Sequence, residues 1–471
     1  HDLGSPDGRP AAGSGKTSIA LHRIAYLLYH ERDNLKSSNI LILSPNSVFA
    51  DYISHILPEL GEENIREMSF DLYAYKELRK GVSADCEDRY DQLERRMRFP
   101  DQESQDRFDW KQSKAFIGEI EGFLAVLEDR LIEFKEVYFR GMTLTEEEMI
   151  ELFYFKFTET PLLNRMDAIK DYFIDSWETL NGRNISDDDQ ETLQMKFDKM
   201  YKTKDIYAIY NWMLEDCGCN LLPDVPYEKR KLPYEDVFPM LYLKYRLSGG
   251  NSTHKNIKHL VIDEMQDYSY LQYTILEMLF HCRMTILGDR AQTLDTKQQD
   301  VLRFLPKLLG REIRTIEIKK SYRNTLEIAR YAEKVSGVSD LELLDRHGKE
   351  VVEKTFNTDT ELLDELVCHL KCPGDFETAA LITTTEEEAF DLSRLLKLRG
   401  INVSYVDRNS SAFKKGLTVT TFYLAKGLEF DQVFALRGAK ENLLKNQAEY
   451  ICATRALHEL YIYEITDSLS K

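Results

Sequence analysis

Three carboxylates fall within five residues at Asp263-Glu264-Met265-Gln266-Asp267, directly after the apolar pair Val261-Ile262. A buried parallel strand ends this way when it presents acids at its C-terminal edge, where open α/β sheets bind ligands. An Asp at that edge can hold Mg²⁺ through water, and the Glu beside it can orient a hydrolytic water. A strand running into a solvated acidic turn would read the same way, so the stretch needs partners elsewhere in the chain. The first is Pro10-Ala11-Ala12-Gly13-Ser14-Gly15-Lys16-Thr17, followed by Ile19, Ile24, Leu27 and Leu28 at helical spacing to about Arg32. Gly13 and Gly15, with Ser14 between them, permit a tight loop whose N–H groups cradle phosphates at a helix N-terminus. Lys16 adds a point charge for the β- and γ-phosphates, and Thr17 a hydroxyl for Mg²⁺. Pro10 stands where this phosphate-loop pattern has its first glycine, and the turn-rich residues 1–9 contain no strand to lead into it.

The elements that must position these groups alternate strand and helix at both ends of the chain. Asn39–Leu43 reads as a buried strand ending in Ser44-Pro45-Asn46, and Met284–Leu287 as another running into Gly288-Asp289-Arg290-Ala291-Gln292. Thr315–Ile318 reads as a short strand, with a helix starting at Ser321-Tyr322-Arg323-Asn324. Ala379–Thr383, a helix to Arg399, and Val403–Tyr405 form a further strand–helix–strand unit. Val419–Thr421 then runs into Ala425-Lys426-Gly427-Leu428-Glu429-Phe430. A helix over Cys452–Ala456 and a strand over Glu459–Glu464 close the pattern. Residues 70–255 break the alternation. Apolar spacing predicts one long helix over Phe116–Phe139 and others over 146–158, 162–180 and 188–215, with a turn at Asn181–Asn184. Asp187-Asp188-Asp189 then compensates a helix dipole at its start. Leu221–Pro239 is Pro-punctuated and reads as a return connection.

The chain has 471 residues, too many for one core, and 30% of them are charged. No apolar run approaches the roughly 20 residues that span a bilayer, so no membrane segment is expected. Seven cysteines, an odd number, read as reduced thiols of a cytoplasmic protein, and their spacings lack the second pair of a zinc site. The net charge of −19 is uneven: residues 62–256 hold 41 acids against 28 bases, a net −13. Such a chain is a poor non-specific nucleic-acid binder, so contact with single-stranded DNA requires a local groove.

A phosphate loop, an acidic strand end, a Gly-Asp-x-x-Gln strand end and two downstream Arg signatures, in this order, resemble the superfamily 1 helicases of the UvrD/Rep type. The resemblance implies an α/β fold of two RecA-like P-loop NTPase domains with a large helical insertion in the first. The expected division is 1–69 and 256–320 for the first domain, 70–255 for the insertion and 321–471 for the second domain. The wording of Ser44-Pro45-Asn46, Gly288–Leu294 and Ser321–Asn324 is most similar to the HelD branch, whose members bind bacterial RNA polymerase and use ATP in recycling it. The resemblance implies ATP and Mg²⁺ as cofactors, with Gly13, Ser14, Gly15, Lys16 and Thr17 on the phosphates and Thr17 and Asp263 on the metal. It implies Glu264 as the general base and Gln292 as the γ-phosphate sensor. Arg323 and Arg455 would be arginine fingers, Tyr322 would stack near adenine and Glu429 would meet the ribose. It also implies RNA polymerase core as the partner, met by an acidic arm over 70–255 with Asp187–Asp189 near a tip. Two other readings share these motifs: a DNA helicase or translocase in repair, and a binding fragment that no longer hydrolyses ATP.

The sequence departs from the pattern in four respects. Neither the glutamine motif upstream of the phosphate loop nor the N-terminal coiled coil of the HelD branch is present, and a fragment of a longer protein is expected. Tyr423 stands where many relatives have His. Only about 90 residues separate Arg323 from Val419, too few for the large 2B subdomain of duplex unwinders.

Overall fold

The structure, a computed structural model, describes residues 15–45, 65–250, 254–289, 292–294, 301–310, 313–316, 320–321, 324–337, 342–343, 345–371, 376–408, 410, 415–438 and 444–466. Side chains of residues 15–21, 320–321 and 342–343 lie outside that description. Among the described residues, the chain is α/β with two larger parallel sheets, of four and six strands.

The first sheet has strand order β2-β1-β7-β8, with β1 Ile40–Leu43, β2 Arg66–Met68, β7 His259–Ile262 and β8 Arg283–Ile286. All pairings are parallel, with Ile42 beside Glu67 on one side and Val261 on the other. β1 and β7 are buried at every position because both faces are covered. Ile40, Ile42 and Val261 meet Ile24 and Leu28 of helix α1 (Gly15–His30), whereas Leu41, Leu43, Leu260 and Ile262 join the larger core on the opposite face. His259 is buried in β7, its Nε2 2.9 Å from Thr285 Oγ1. Burial, then the charges of Arg23 and Arg283, pull its pKa down from 6.5 to about 4. The unfolded chain therefore takes up this proton first. The stabilisation is complete above pH 6.5 and is lost as the pH falls from there towards 4. Urea midpoints should report about 2 kcal/mol less stability at pH 5 than at pH 7 from this residue, and His259→Gln should remove that part of the pH dependence.

Between β2 and β7 lies a mostly helical region. Its helices are α2 (Phe70–Leu78), α3 (Arg89–Arg98), α4 (Gln102–Lys111), α5 (Lys114–Leu131), α6 (Glu146–Glu151), α7 (Arg165–Asn181), α8 (Asp187–Asp198), α9 (Ile206–Asp216) and α10 (Tyr234–Ser248). Strands β3 (Asp85–Cys86) and β6 (Lys231–Leu232) pair in parallel at its base, and β4 (Val137–Phe139) and β5 (Met142–Leu144) form a hairpin. The expected single helix over Phe116–Phe139 is therefore two elements. α5 stops at Leu131, and the hairpin turns through Arg140 and Gly141, both with positive φ, as a tight two-residue hairpin turn requires. The expected helix over 188–215 is also split. Tyr201 forms a bridge to Ile132, and Asp205 caps α9 through Tyr207 N at 3.0 Å. The helix expected at 146–158 gives way after Glu151 to a π-helical turn over Leu152–Lys156. Asp187–Asp189 occupy the first turn of α8 with Ser186 as cap, and Asp189 pairs with Arg140 at 2.7 Å.

The second sheet has order β11-β16-β15-β12-β14-β13, all parallel. Its strands are β11 (Val352–Phe356), β12 (Thr378–Thr383), β13 (Ser404–Tyr405), β14 (Gly416–Thr421), β15 (Phe430–Arg437) and β16 (Ala456–Ile465). A two-stranded pair, β9 (Lys320–Ser321) with β10 (Glu342–Leu343), stands apart from it. The remaining helices are α11 (Tyr270–Leu279), α12 (Val301–Leu309), α13 (Leu326–Ser336), α14 (Asp359–Lys371), α15 (Glu386–Leu398) and α16 (Lys445–Arg455). Thr315 and Ile316 carry no strand, Glu317 and Ile318 lie outside the described residues, and the helix expected from Ser321 starts at Leu326.

Candidate functional site

The acidic strand end forms as its apolar lead-in predicts. Asp263 N donates to Leu43 O at 2.9 Å, extending the β1–β7 ladder by one residue, and the chain then leaves the sheet. Glu264 adopts φ 53°, ψ 50°, the left-handed region, a conformation that costs a non-glycine residue about 1–3 kcal/mol. The bend is held from both sides. Met265 N donates to Leu287 O at 2.8 Å, Asp267 N to Glu264 O at 2.9 Å, and Gln266 Nε2 to the Glu264 carboxylate. Gln266 Oε1 in turn accepts from Asp289 N at 2.9 Å. Gly288 makes this approach possible, because a Cβ there would lie 2.2 Å from Met265 Cγ and 2.9 Å from Met265 N. The two polar strand ends are thus one hydrogen-bonded unit.

Gln292 and Arg455 meet across the two sheets. Gln292 Nε2 donates to Asp289 Oδ2 at 3.0 Å, and Arg455 Nη2 donates to Gln292 Oε1 at 3.2 Å. Arg455 is fully buried, and its Nη1 donates to Leu428 O at 3.3 Å. Tyr450, on α16 with Arg455, donates to Asp289 Oδ2 at 3.3 Å. Glu429 follows the 421–428 turn, precedes β15 and is half-buried. α1 begins at Gly15 and so places Lys16 and Thr17 in its first turn; their side chains, with Pro10, Gly13, Ser14, Tyr322 and Arg323, lie outside the described residues.

Two groups near the site escaped sequence reasoning. Glu67, on β2, shares a sheet face with Ile42 and Val261, the face that α1 covers. Its Oε2 is buried without a hydrogen-bond partner among the described residues, and burial, then the Asp263 charge, pushes its carboxyl up to about 8. The second is the ion pair of Asp267 with Lys426, at 2.9 and 3.0 Å, each side chain only 2% exposed. Arg89 on α3 approaches Asp267 at 3.8 Å and Asp71 at 3.6 Å, so one carboxylate joins both sheets and the helical region. Glu67 carried no signal, because Arg66-Glu67-Met68 has no apolar period; the pairing of Asp267 with Lys426 spans 159 residues. Asp267→Asn, which removes one charge of the buried Asp267–Lys426 pair, should cost about 3–5 kcal/mol in denaturant unfolding, and Lys426→Met in the same chain should restore part of it.

Parallel sheets, an acidic strand end bound to its neighbour, and an arginine of the second sheet's unit bonded to a glutamine beyond the end of β8 fit a superfamily 1 helicase-type motor. The profile of the UvrD/REP helicase N-terminal domain matches residues 10–294, more than half of the chain, and the chain belongs to that family. Among solved structures it is similar to the C-terminal domain of a possible DNA helicase from Lactobacillus plantarum WCFS1, at 25% identity, TM-score 0.26, 31% of this chain and 89% of that one. It is also similar to the PRRSV helicase, at 15% identity, TM-score 0.27, 55% of this chain and 45% of that one. No curated protein matches the chain. Family membership makes it a nucleotide-hydrolysing enzyme in general terms, of a family that uses ATP with Mg²⁺.

The residues present suit that metal. Mg²⁺ takes oxygen ligands and keeps several waters, so one or two carboxylates suffice. Among the described residues no cluster of three or more His, Cys, Asp or Glu is arranged to hold a metal by itself. A divalent cation beside Asp263 would offset the repulsion between the Asp263 and Glu67 carboxylates. No described helix is long and apolar enough to cross a membrane.

Proposed function

We propose that this chain is an ATP-hydrolysing motor of the HelD type that binds bacterial RNA polymerase core and promotes its release from nucleic acid. The observation that carries the ATPase part is the Arg455–Gln292–Asp289 chain joined through Gln266 to Glu264. It ties a second-sheet guanidinium to the strand end that holds the proposed base. In this reading residues 1–69 and 256–320 form the first RecA-like domain, 70–255 the insertion and 321–471 the second domain. Mg²⁺, held by Thr17 and Asp263, would neutralise phosphate charge. Gly13, Ser14, Gly15 and Lys16 bind the phosphates, and Tyr322 and Glu429 hold the adenosine. Glu264 orients and deprotonates the attacking water, Gln292 reads the γ-phosphate, and Arg323 and Arg455 stabilise the charge that develops on it.

The polymerase part is supported by the HelD-like wording of Ser44-Pro45-Asn46 and Gly288–Leu294, the net −13 of residues 62–256, and the short Arg323–Val419 spacing. An acidic arm is suited to the positive channel in which a polymerase holds DNA. A DNA translocase using a local groove for single-stranded DNA shares every ATPase group, so the test must separate the two. The purified chain is mixed with purified RNA polymerase core, with and without ATP, and assayed in parallel for strand displacement. Co-elution with polymerase and no displaced strand supports the proposal. Strand displacement without co-elution selects the translocase instead.

A further inference from the structure

Helix α3 belongs by sequence to the helical region, yet one of its faces is spent on the second sheet's unit. Tyr90, Leu93, Glu94 and Met97 recur at i, i+3, i+4 and i+7, one stripe of a helix. Leu93 and Met97 share an apolar cluster with Phe422, Tyr423, Leu428 and Leu294. The Tyr90 ring stacks on Tyr423 with centroids 4.9 Å apart. Glu94 Oε1 accepts from Tyr423 OH at 2.5 Å and from Glu386 N, at the start of α15, at 2.6 Å. At the helix margin Arg408 pairs with Asp91 at 2.7 Å and with Asp88 at 3.5 Å.

What Glu94 holds is the beginning of a compact turn. Ala425 N donates to Thr421 O at 2.9 Å and Leu428 N to Ala425 O at 3.0 Å, so Tyr423 cannot shift without moving the turn. That turn delivers two groups to the site: Lys426 to Asp267, and the Leu428 carbonyl to Arg455, which itself reaches Gln292. α3 also touches the site directly, through Arg89 and Asp267.

We propose that Glu94 is a positioning residue for Arg455: through its hydrogen bond to Tyr423 it sets the 421–428 turn, and through the turn the arginine at the proposed phosphate site. The inference rests on the ATPase reading of that site and adds to it a route by which the helical region governs turnover. Reactions that depend on placing a charged group lose up to about 100-fold for a displacement near 1 Å.

The experiment is a double-mutant cycle of Glu94→Ala and Tyr423→Phe, read by steady-state ATP turnover, binding of a non-hydrolysable ATP analogue, and amide exchange over 421–428. Each single variant should lower kcat about ten- to hundredfold with analogue affinity and KM unchanged. The double variant should be no worse than Glu94→Ala, because that change already removes the one Glu94–Tyr423 hydrogen bond that Tyr423→Phe deletes. Tyr423→Phe, which deletes a single oxygen, keeps the test valid if Glu94→Ala fails to fold. Unchanged kcat, additive losses, or a loss confined to KM would each overturn the positioning role. A wild-type chain without turnover would overturn the ATPase reading instead. Exchange then decides positioning: acceleration over 421–428 in both variants supports it, and no change sinks it.

Discussion

Arg455→Ala should reduce ATP turnover by about 10³–10⁵-fold, the range an arginine finger contributes to phosphoryl transfer. The residue is buried in its own unit, on α16, and its Nη2 reaches Gln292 beside the first sheet. It brings a positive charge from the second sheet's unit to the polar end of the first sheet. Arg455→Lys should recover only a minor part, because a point charge cannot bond Gln292 Oε1 and Leu428 O in the same fork. Single-turnover kinetics on variants with near-wild-type melting curves are the measurement. A loss below about tenfold in Arg455→Ala would show that the arginine serves packing alone.

Glu264→Gln should keep nucleotide bound and lower kcat about 10²–10⁴-fold, the contribution of a positioned general base. The side chain has no freedom to be replaced by a neighbour. Its backbone is left-handed, Gln266 donates to its carboxylate, and Gln266 is itself fixed by Asp289 N. Asp267, the next acid along, is committed to Lys426. The expected variant therefore retains labelled ATP on a filter or gel-filtration column without releasing phosphate. Turnover within threefold of wild type would remove Glu264 from the base role.

Much of the site was legible because its scaffold is written in continuous apolar runs. β7 is a buried strand and β8 a half-buried one, both end in polar groups, and these features stand in the local sequence. β2 was invisible, since Arg66-Glu67-Met68 has no apolar period and is a strand only because β1 offers it an unpaired edge. The breaks at Leu131 and Asp198 were also hidden, because the apolar spacing runs on through Phe134 and Ile206 while the tertiary bridge Ile132–Tyr201 ends both helices. The docking of α3 could not be read either. Its stripe is outnumbered by Arg, Asp and Gln on a helix that looks fully solvated, and its partners lie about 300 residues away. Periodicity reports what an element buries, not which distant surface it buries it against.

The interrupted first sheet also has a consequence for biosynthesis. β1 ends at Leu43, and its central partner β7 begins at His259, more than 200 residues later. At about 5–20 residues per second, a ribosome needs on the order of ten to forty seconds between the two. Over that interval the wholly apolar β1 presents one unpaired edge, the kind that recruits foreign strands. The nascent chain is thus most exposed to aggregation before the acidic strand end has been synthesised. Early folding of the helical region, which brings the ends of a long loop together, is what shortens that exposure.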